Sequence, residues 1–163
     1  MRYKILCTCV LFLAAIVSAQ TKHAFSGKCG KSENAQSIPA GDKDGHRFMV
    51  QQGKCTTDSG EIGGVKSKEG AFSEHDDVTG NHLKAWGVYT ETYDNGDKVY
   101  YAYQGASTTK DGALVSGSNT WRITGGTGKM QGIKGTGGCK LTPGEGGGLN
   151  YSCNGEYTLA AAK

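Results

Sequence analysis

The sequence predicts an all-β protein, an antiparallel eight-stranded up-and-down barrel. Three observations carry this. Beyond the first 19 residues no window shows sustained i, i+3, i+4, i+7 apolar spacing, so no amphipathic helix is expected. Glycine supplies 27 of 163 residues and is spread along the chain, which opposes helices at ~1 kcal/mol per interior glycine relative to alanine. Segments of alternating apolar and polar residues recur at short intervals, divided by turn residues. Short strands with short connections suggest a meander, and closing it into a barrel removes the exposed sheet edges.

The chain opens on Arg2 and Lys4, a mostly apolar run from Ile5 to Val17, and small residues at Val17-Ser18-Ala19 before Gln20. This is the pattern of a secretory signal peptide, with a run too short to span a bilayer. Residues 1–19 are read as that signal and 20–163 as one β-barrel domain, secreted or periplasmic, with no membrane span after signal removal. The chain has 18 Lys+Arg against 15 Asp+Glu; without Arg2 and Lys4 the balance is 16 against 15. No basic stripe with interleaved aromatics is present, so no nucleic-acid partner is expected.

Seven strands can be placed in order. HRFMVQQGKC (His46 to Cys55) is followed by EGAFSEHDDVT (Glu69 to Thr79), LKAWGVYTETY (Leu83 to Tyr93) and KVYYAYQGAS (Lys98 to Ser107). ALVSGSNTWRIT (Ala113 to Thr124), IKGTGGCKLT (Ile133 to Thr142) and LNYSCNGEYTL (Leu149 to Leu159) complete the set. TGN, DNGD, TTKDG, GGTGK and PGEGGG separate them. The eighth strand is expected between Phe25 and Ile38 or near Ile62.

One hairpin can be read in register. Asn95-Gly96 suits a type I′ turn, whose two central residues both need positive φ. Thr92 then faces Val99, Thr90 faces Tyr101 and Val88 faces Tyr103. That face, with Trp86, is the expected core. The opposite face carries Tyr89, Glu91, Tyr93, Lys98, Tyr100 and Gln104, with Glu91 and Lys98 as diagonal neighbours. The plain reading is a surface ion pair of little weight; the sharper one has Glu91 and the tyrosines lining a polar ligand mouth. A one-residue slip exchanges the two faces.

Cys7 and Cys9 belong to the signal segment. Cys29, Cys55, Cys139 and Cys153 remain, an even number that reads as two disulfides in a secreted domain. Folding at TPGEGGG brings Cys139 within about one residue of facing Cys153, leaving Cys29 for Cys55. A four-cysteine zinc site is disfavoured, because no CxxC spacing is present.

The stretch ITGGTGKMQGIKGTGGC, Ile123 to Cys139, poses a choice between a phosphate cradle and a sheet corner. A P-loop needs Ser or Thr after Gly-Lys, and Met130 follows Lys129. Its first glycine is also absent, and Gln131 stands where a Rossmann fingerprint needs its third. No nucleotide or other cofactor is expected. Gly125, Gly126 and Gly128 are read as a structural corner that permits left-handed backbone.

WRITGGTGKMQGIKGTGGC resembles the signature of the allene oxide cyclase-like barrel superfamily, which includes plant dirigent proteins. There a strand ends in a GGTGxF-type corner and a glycine-rich strand follows; a DG turn, Asp111-Gly112, precedes the motif here. Met130 departs from the family's usual aromatic residue. The resemblance spans Trp86 to Leu159. It implies an eight-stranded, calycin-like antiparallel barrel with a central cavity, often assembled as a homo-oligomer. Family enzymes cyclise an unsaturated fatty-acid epoxide with a glutamate near the N-terminus, and dirigent members steer coupling of phenolic radicals. Glu33 and Glu61 are the early acidic residues here, and neither sits in a matching context, so no catalytic residue is carried over.

Glu74-His75-Asp76-Asp77 with His82 nearby raises a metal reading. On a strand His75 and Asp77 share one side and Glu74 and Asp76 the other, so too few ligands converge and a solvated strand edge is expected. His23 and His46 are isolated and read as surface residues. No metal site is expected. Trp86, Tyr101, Tyr103 and Trp121 either pack a sealed core or line a cavity for a small hydrophobic or aromatic molecule. Three functions follow: a ligand-binding barrel, a cyclase or isomerase using a cavity glutamate or tyrosine, and a filled barrel acting as a structural or interaction protein.

Overall fold

Alternation along the chain resolves into ten strands in a computed structural model, which describes residues 20–160. These are β1 (Thr21–Cys29), β2 (Glu33–Pro39), β3 (His46–Ser59), β4 (Glu61–Ile62), β5 (Val65–Thr79), β6 (His82–Tyr93), β7 (Lys98–Lys110), β8 (Ala113–Gly126), β9 (Lys134–Pro143) and β10 (Leu149–Thr158). Eight of them close an antiparallel barrel in the order β1-β10-β9-β8-β7-β6-β5-β3, with β3 pairing back onto β1. β2 prolongs β1 along the same edge of β3 and is exposed throughout. β4 is a two-residue strand folded back onto β5. The strand that completes the barrel is thus Thr21–Cys29, which begins ahead of the window expected for it. The signal segment lies outside the described residues.

Glycine-rich composition has a packing cause. Trp121 on β8 lies in register with Gly137 on β9 and Gly155 on β10, and a Cβ at either glycine would overlap the indole. Tyr103 lies likewise over Gly87, Tyr89 over Gly70, Phe72 over Gly53 and Tyr151 over Gly27. Each large ring leans across a neighbouring strand that has no side chain there. The barrel thereby seats its aromatics without the overpacking that costs ~1–3 kcal/mol per misfit.

The β6–β7 hairpin differs from the sequence reading by one residue. Thr92 faces Lys98, Glu91 faces Val99 and Tyr89 faces Tyr101. The loop holds three residues, 94–96, with the Tyr93 N–H donating to the Asp97 carbonyl at 2.9 Å. Gly96 has positive φ, at 83°, and Asn95 does not, so the turn is a three-residue loop with a left-handed glycine rather than type I′. Local bonds explain the choice. The Asn95 side-chain oxygen accepts the Asp97 N–H at 3.0 Å, and the Asp97 carboxylate accepts the Lys129 N–H at 3.0 Å. The glycine-rich corner therefore docks on this loop and fixes it. The slip turns Tyr89, Glu91 and Tyr93 inward and Trp86 and Val88 outward. On β7, Val99, Tyr101 and Tyr103 point inward and Lys98, Tyr100 and Gln104 outward, the faces read from the sequence.

At the corner itself, Gly128 and Gly132 are left-handed, with φ of 51° and 75°. Gly125 and Gly126 are not; a Cβ at Gly126 would instead meet the Met130 carbonyl oxygen at 2.5 Å. A single 3-10 turn, Gly128–Met130, joins β8 to β9, and Met130 is buried in the core. Cys139 stands directly opposite Cys153, and Cys29 opposite Cys55; both pairs are disulfide-bonded. Their sequence separations of 14 and 26 each correspond to ~3 kcal/mol of stabilisation by loop closure.

Candidate functional site: an interior cavity beside a carboxylate pair

A cavity of about 110 Å³ remains inside the barrel. Phe25, Phe72, Tyr89, Tyr101, Tyr103, Trp121 and Tyr151 form its aromatic wall. Leu141, Leu149 and both disulfides complete the apolar lining, and Glu74 and Asn119 are the polar exceptions. Volumes of this order hold single rings; an engineered apolar cavity of about 150 Å³ takes up benzene.

Glu74 reaches the cavity because of a glycine. Gly87 on β6 leaves room for the Tyr103 ring to pass over it from β7 to β5. The Tyr103 hydroxyl donates to Glu74 Oε2 at 2.6 Å. The Gln51 amide then joins two acids, donating to Glu74 Oε1 at 2.7 Å and to Asp76 Oδ2 at 2.8 Å. Asp76 is 1 % exposed, and its second oxygen has no partner. Burial, then the neighbouring Glu74 charge, raises the Asp76 pKa to about 7, against the Gln51 hydrogen bond. Burial also raises Glu74, opposed by the bonds from Tyr103 and Gln51. Two neighbouring carboxyls in one desolvated site do not both ionise easily, so a proton is retained near neutrality.

A second polar cluster lies beyond the cavity wall and shares Tyr101 with it. Glu91 is completely buried. Ser67 and Thr57 hydroxyls donate to its Oε1, and Tyr93 and Tyr101 donate to Oε2 at 3.2 and 3.0 Å. Burial raises its pKa despite these four bonds, and burial with the Glu91 charge raises Tyr93 and Tyr101. The expected surface pair with Lys98 does not form, because the two side chains lie on opposite faces. Glu91 does not border the cavity either.

Of the aromatics singled out from the sequence, Tyr101, Tyr103 and Trp121 border the cavity. Trp86 does not. It is 37 % exposed on the outer face and stacks on His75, with ring centroids 5.5 Å apart at 12°. His23 is no surface residue. It is 2 % exposed, stacks on Phe25 and has its pKa lowered by burial to about 4, partly offset by the Glu61 backbone. His46 bridges Asp42 and Asp77 at the barrel rim. Glu74 and Asp76 are the inward-facing acids the sequence reading missed, taking them for a solvated edge. The signal was present: Gly70, Phe72, Glu74, Asp76 and Val78 alternate on one face, and two of them are apolar.

No family model matches the chain. No curated protein matches it either. Solved structures do. The pterocarpan synthase dirigent protein PsPTS1 aligns with TM-score 0.53 and 10 % identity over 88 % of this chain and 97 % of its own. The pterocarpan synthase dirigent protein GePTS1 aligns with TM-score 0.50 and 12 % identity over 97 % and 98 %. A conserved protein of unknown function from Rhodopseudomonas palustris gives TM-score 0.50 and 10 % identity over 86 % and 99 %. At such identities the likeness is one of fold: a dirigent-like β-barrel.

Proposed function

We propose that this disulfide-bonded, dirigent-like barrel binds a small aromatic molecule in its interior, in an oxidising compartment outside the cytoplasm. The cavity between Tyr101, Tyr103 and Trp121, with Glu74 in its wall, carries the reading. Rings on several sides supply apolar contact and edge-to-face geometry, and the one carboxyl group offers an anchor for a hydroxyl. Both disulfides support the compartment, since such bonds persist where thiols are not kept reduced. Calorimetric titration with phenol, 4-methylphenol and indole tests the proposal. Saturable binding is expected, weakened in Glu74→Gln for the phenols and abolished when Leu141→Phe fills the space. Absence of binding to all three, or binding indifferent to Leu141→Phe, would rule it out.

The Glu74–Gln51–Asp76 arrangement favours a second reading, proton transfer on the bound molecule. Glu74, the carboxyl in the cavity wall, has its pKa raised by burial, which suits general acid–base work near neutral pH. The isomerase reading expects deuterium from D2O to enter cyclohex-2-enone at carbons flanking the carbonyl, faster with the wild type than with Glu74→Gln or Asp76→Asn. Exchange no faster than in buffer would sink it.

A further inference from the structure

The outer face of the barrel carries a larger concavity of about 980 Å³, which shares Glu74, Tyr103 and Trp121 with the interior cavity and whose outward-facing residues the cavity reading leaves unused. Strand register explains its shape. Gln36, Val50, His75, Trp86, Gln104 and Thr120 form one continuous cross-strand row over β2, β3, β5, β6, β7 and β8. Gln52, Ser73, Val88, Ala102 and Arg122 form the adjacent row, from β3 to β8. Five strand spacings of ~4.8 Å make the first row ~24 Å long.

We infer that this groove binds a neutral linear oligosaccharide. Trp86 provides a platform: its stacking on His75 fixes the plane of the indole, and more than a third of its surface stays open. The C–H face of a pyranose ring packs on such a surface, and Val50 and Val88 extend it on either side. Gln36, Gln52 and Gln104 present planar amides that donate and accept at once, the requirement of vicinal hydroxyls. Ser73 and Thr120 add hydroxyls. Arg122 is the single permanent charge on either row. The Glu74 carboxyl, behind the groove floor, is turned inward to Tyr103 and Gln51. Nucleic acid would need a basic stripe. A protein partner would favour a more apolar centre than three glutamines and two hydroxyls provide. The length suits a chain of several sugar units rather than one.

The test is titration of the whole protein with maltohexaose, cellohexaose, xylohexaose, mannohexaose and chitohexaose, read by calorimetry and by the indole N–H signals in NMR. At least one hexasaccharide is expected to bind saturably and to shift the Trp86 signal but not that of Trp121. Trp86→Ala should weaken it about tenfold or more, Trp86→Phe by no more than about threefold, and Gln104→Ala by an intermediate factor. Phenol binding in the interior should be unchanged in all three. The inference is overturned if none of the five binds, or if binding survives both Trp86→Ala and Gln104→Ala. It is also overturned if the wild type self-associates in sedimentation, Trp86→Ala is monomeric and no sugar binds, since the face would then join copies of this chain.

Discussion

Replacing Asp76 with asparagine removes the proton that the folded barrel holds most conspicuously. Its pKa rises from 3.8 in an exposed chain to about 7 in the fold, so the folded state binds the proton more tightly than the unfolded one. Stability from this source is full below pH ~4, falls as pH rises to ~7 and is constant above. At ~1.4 kcal/mol per pKa unit the wild type loses ~2–4 kcal/mol across that window, the lower end allowing for solvent screening. Asp76→Asn keeps an acceptor for Gln51 and cannot ionise. Relative to wild type it should therefore gain ~2–4 kcal/mol between pH 4 and pH 8. The difference between the proteins is the quantity to measure, by urea denaturation at each pH. His23 acts oppositely in both: its lowered pKa, about 4, costs stability as pH falls from ~6.5, and this cancels in the difference. A difference that stays constant with pH, or moves against the variant, would refute the buried-proton argument.

Glu91→Leu should destabilise the protein by ~3 kcal/mol or more at any pH, because it strands the Tyr93, Tyr101, Ser67 and Thr57 hydroxyls; Glu91→Gln should cost far less, as thermal unfolding will show. Gly87→Ala places a Cβ about 2.5 Å from the Tyr103 ring, so it should lower stability by ~1–3 kcal/mol and disturb the Tyr103–Glu74 bond, visible as a shifted tyrosine ultraviolet band. Loss of the Cys139–Cys153 bond in a double alanine variant should cost ~3 kcal/mol in denaturant melts while far-ultraviolet dichroism keeps its β signature.

Alternation, turn chemistry and cysteine parity made the barrel legible, because each is a local property. The hairpin register was not, because it depends on a distant contact. Asn95-Gly96 alone points to a two-residue turn; Asp94 joins the loop instead, and Asp97, which closes it opposite Tyr93, is held by the Lys129 amide, 32 residues away. That one residue exchanges Trp86 for Glu91 between the two faces. The same limit hid the carboxylate pair. Glu74 and Asp76 read as solvated acids until Gly87 admits Tyr103 and β3 brings Gln51 alongside. Gly27, Gly53, Gly70, Gly87, Gly137 and Gly155 are spaces for specific rings, and which ring fills which space is set by register between strands.

Crystallography with 4-bromophenol asks whether the interior admits an aromatic molecule. Anomalous scattering from bromine locates the ring without reference to fluorescence or heat. A peak inside the barrel, among Tyr101, Trp121 and Leu141, with the hydroxyl toward Glu74, is the predicted result. An interior that stays without bromine at saturating ligand, or a peak confined to the outer face, would contradict it.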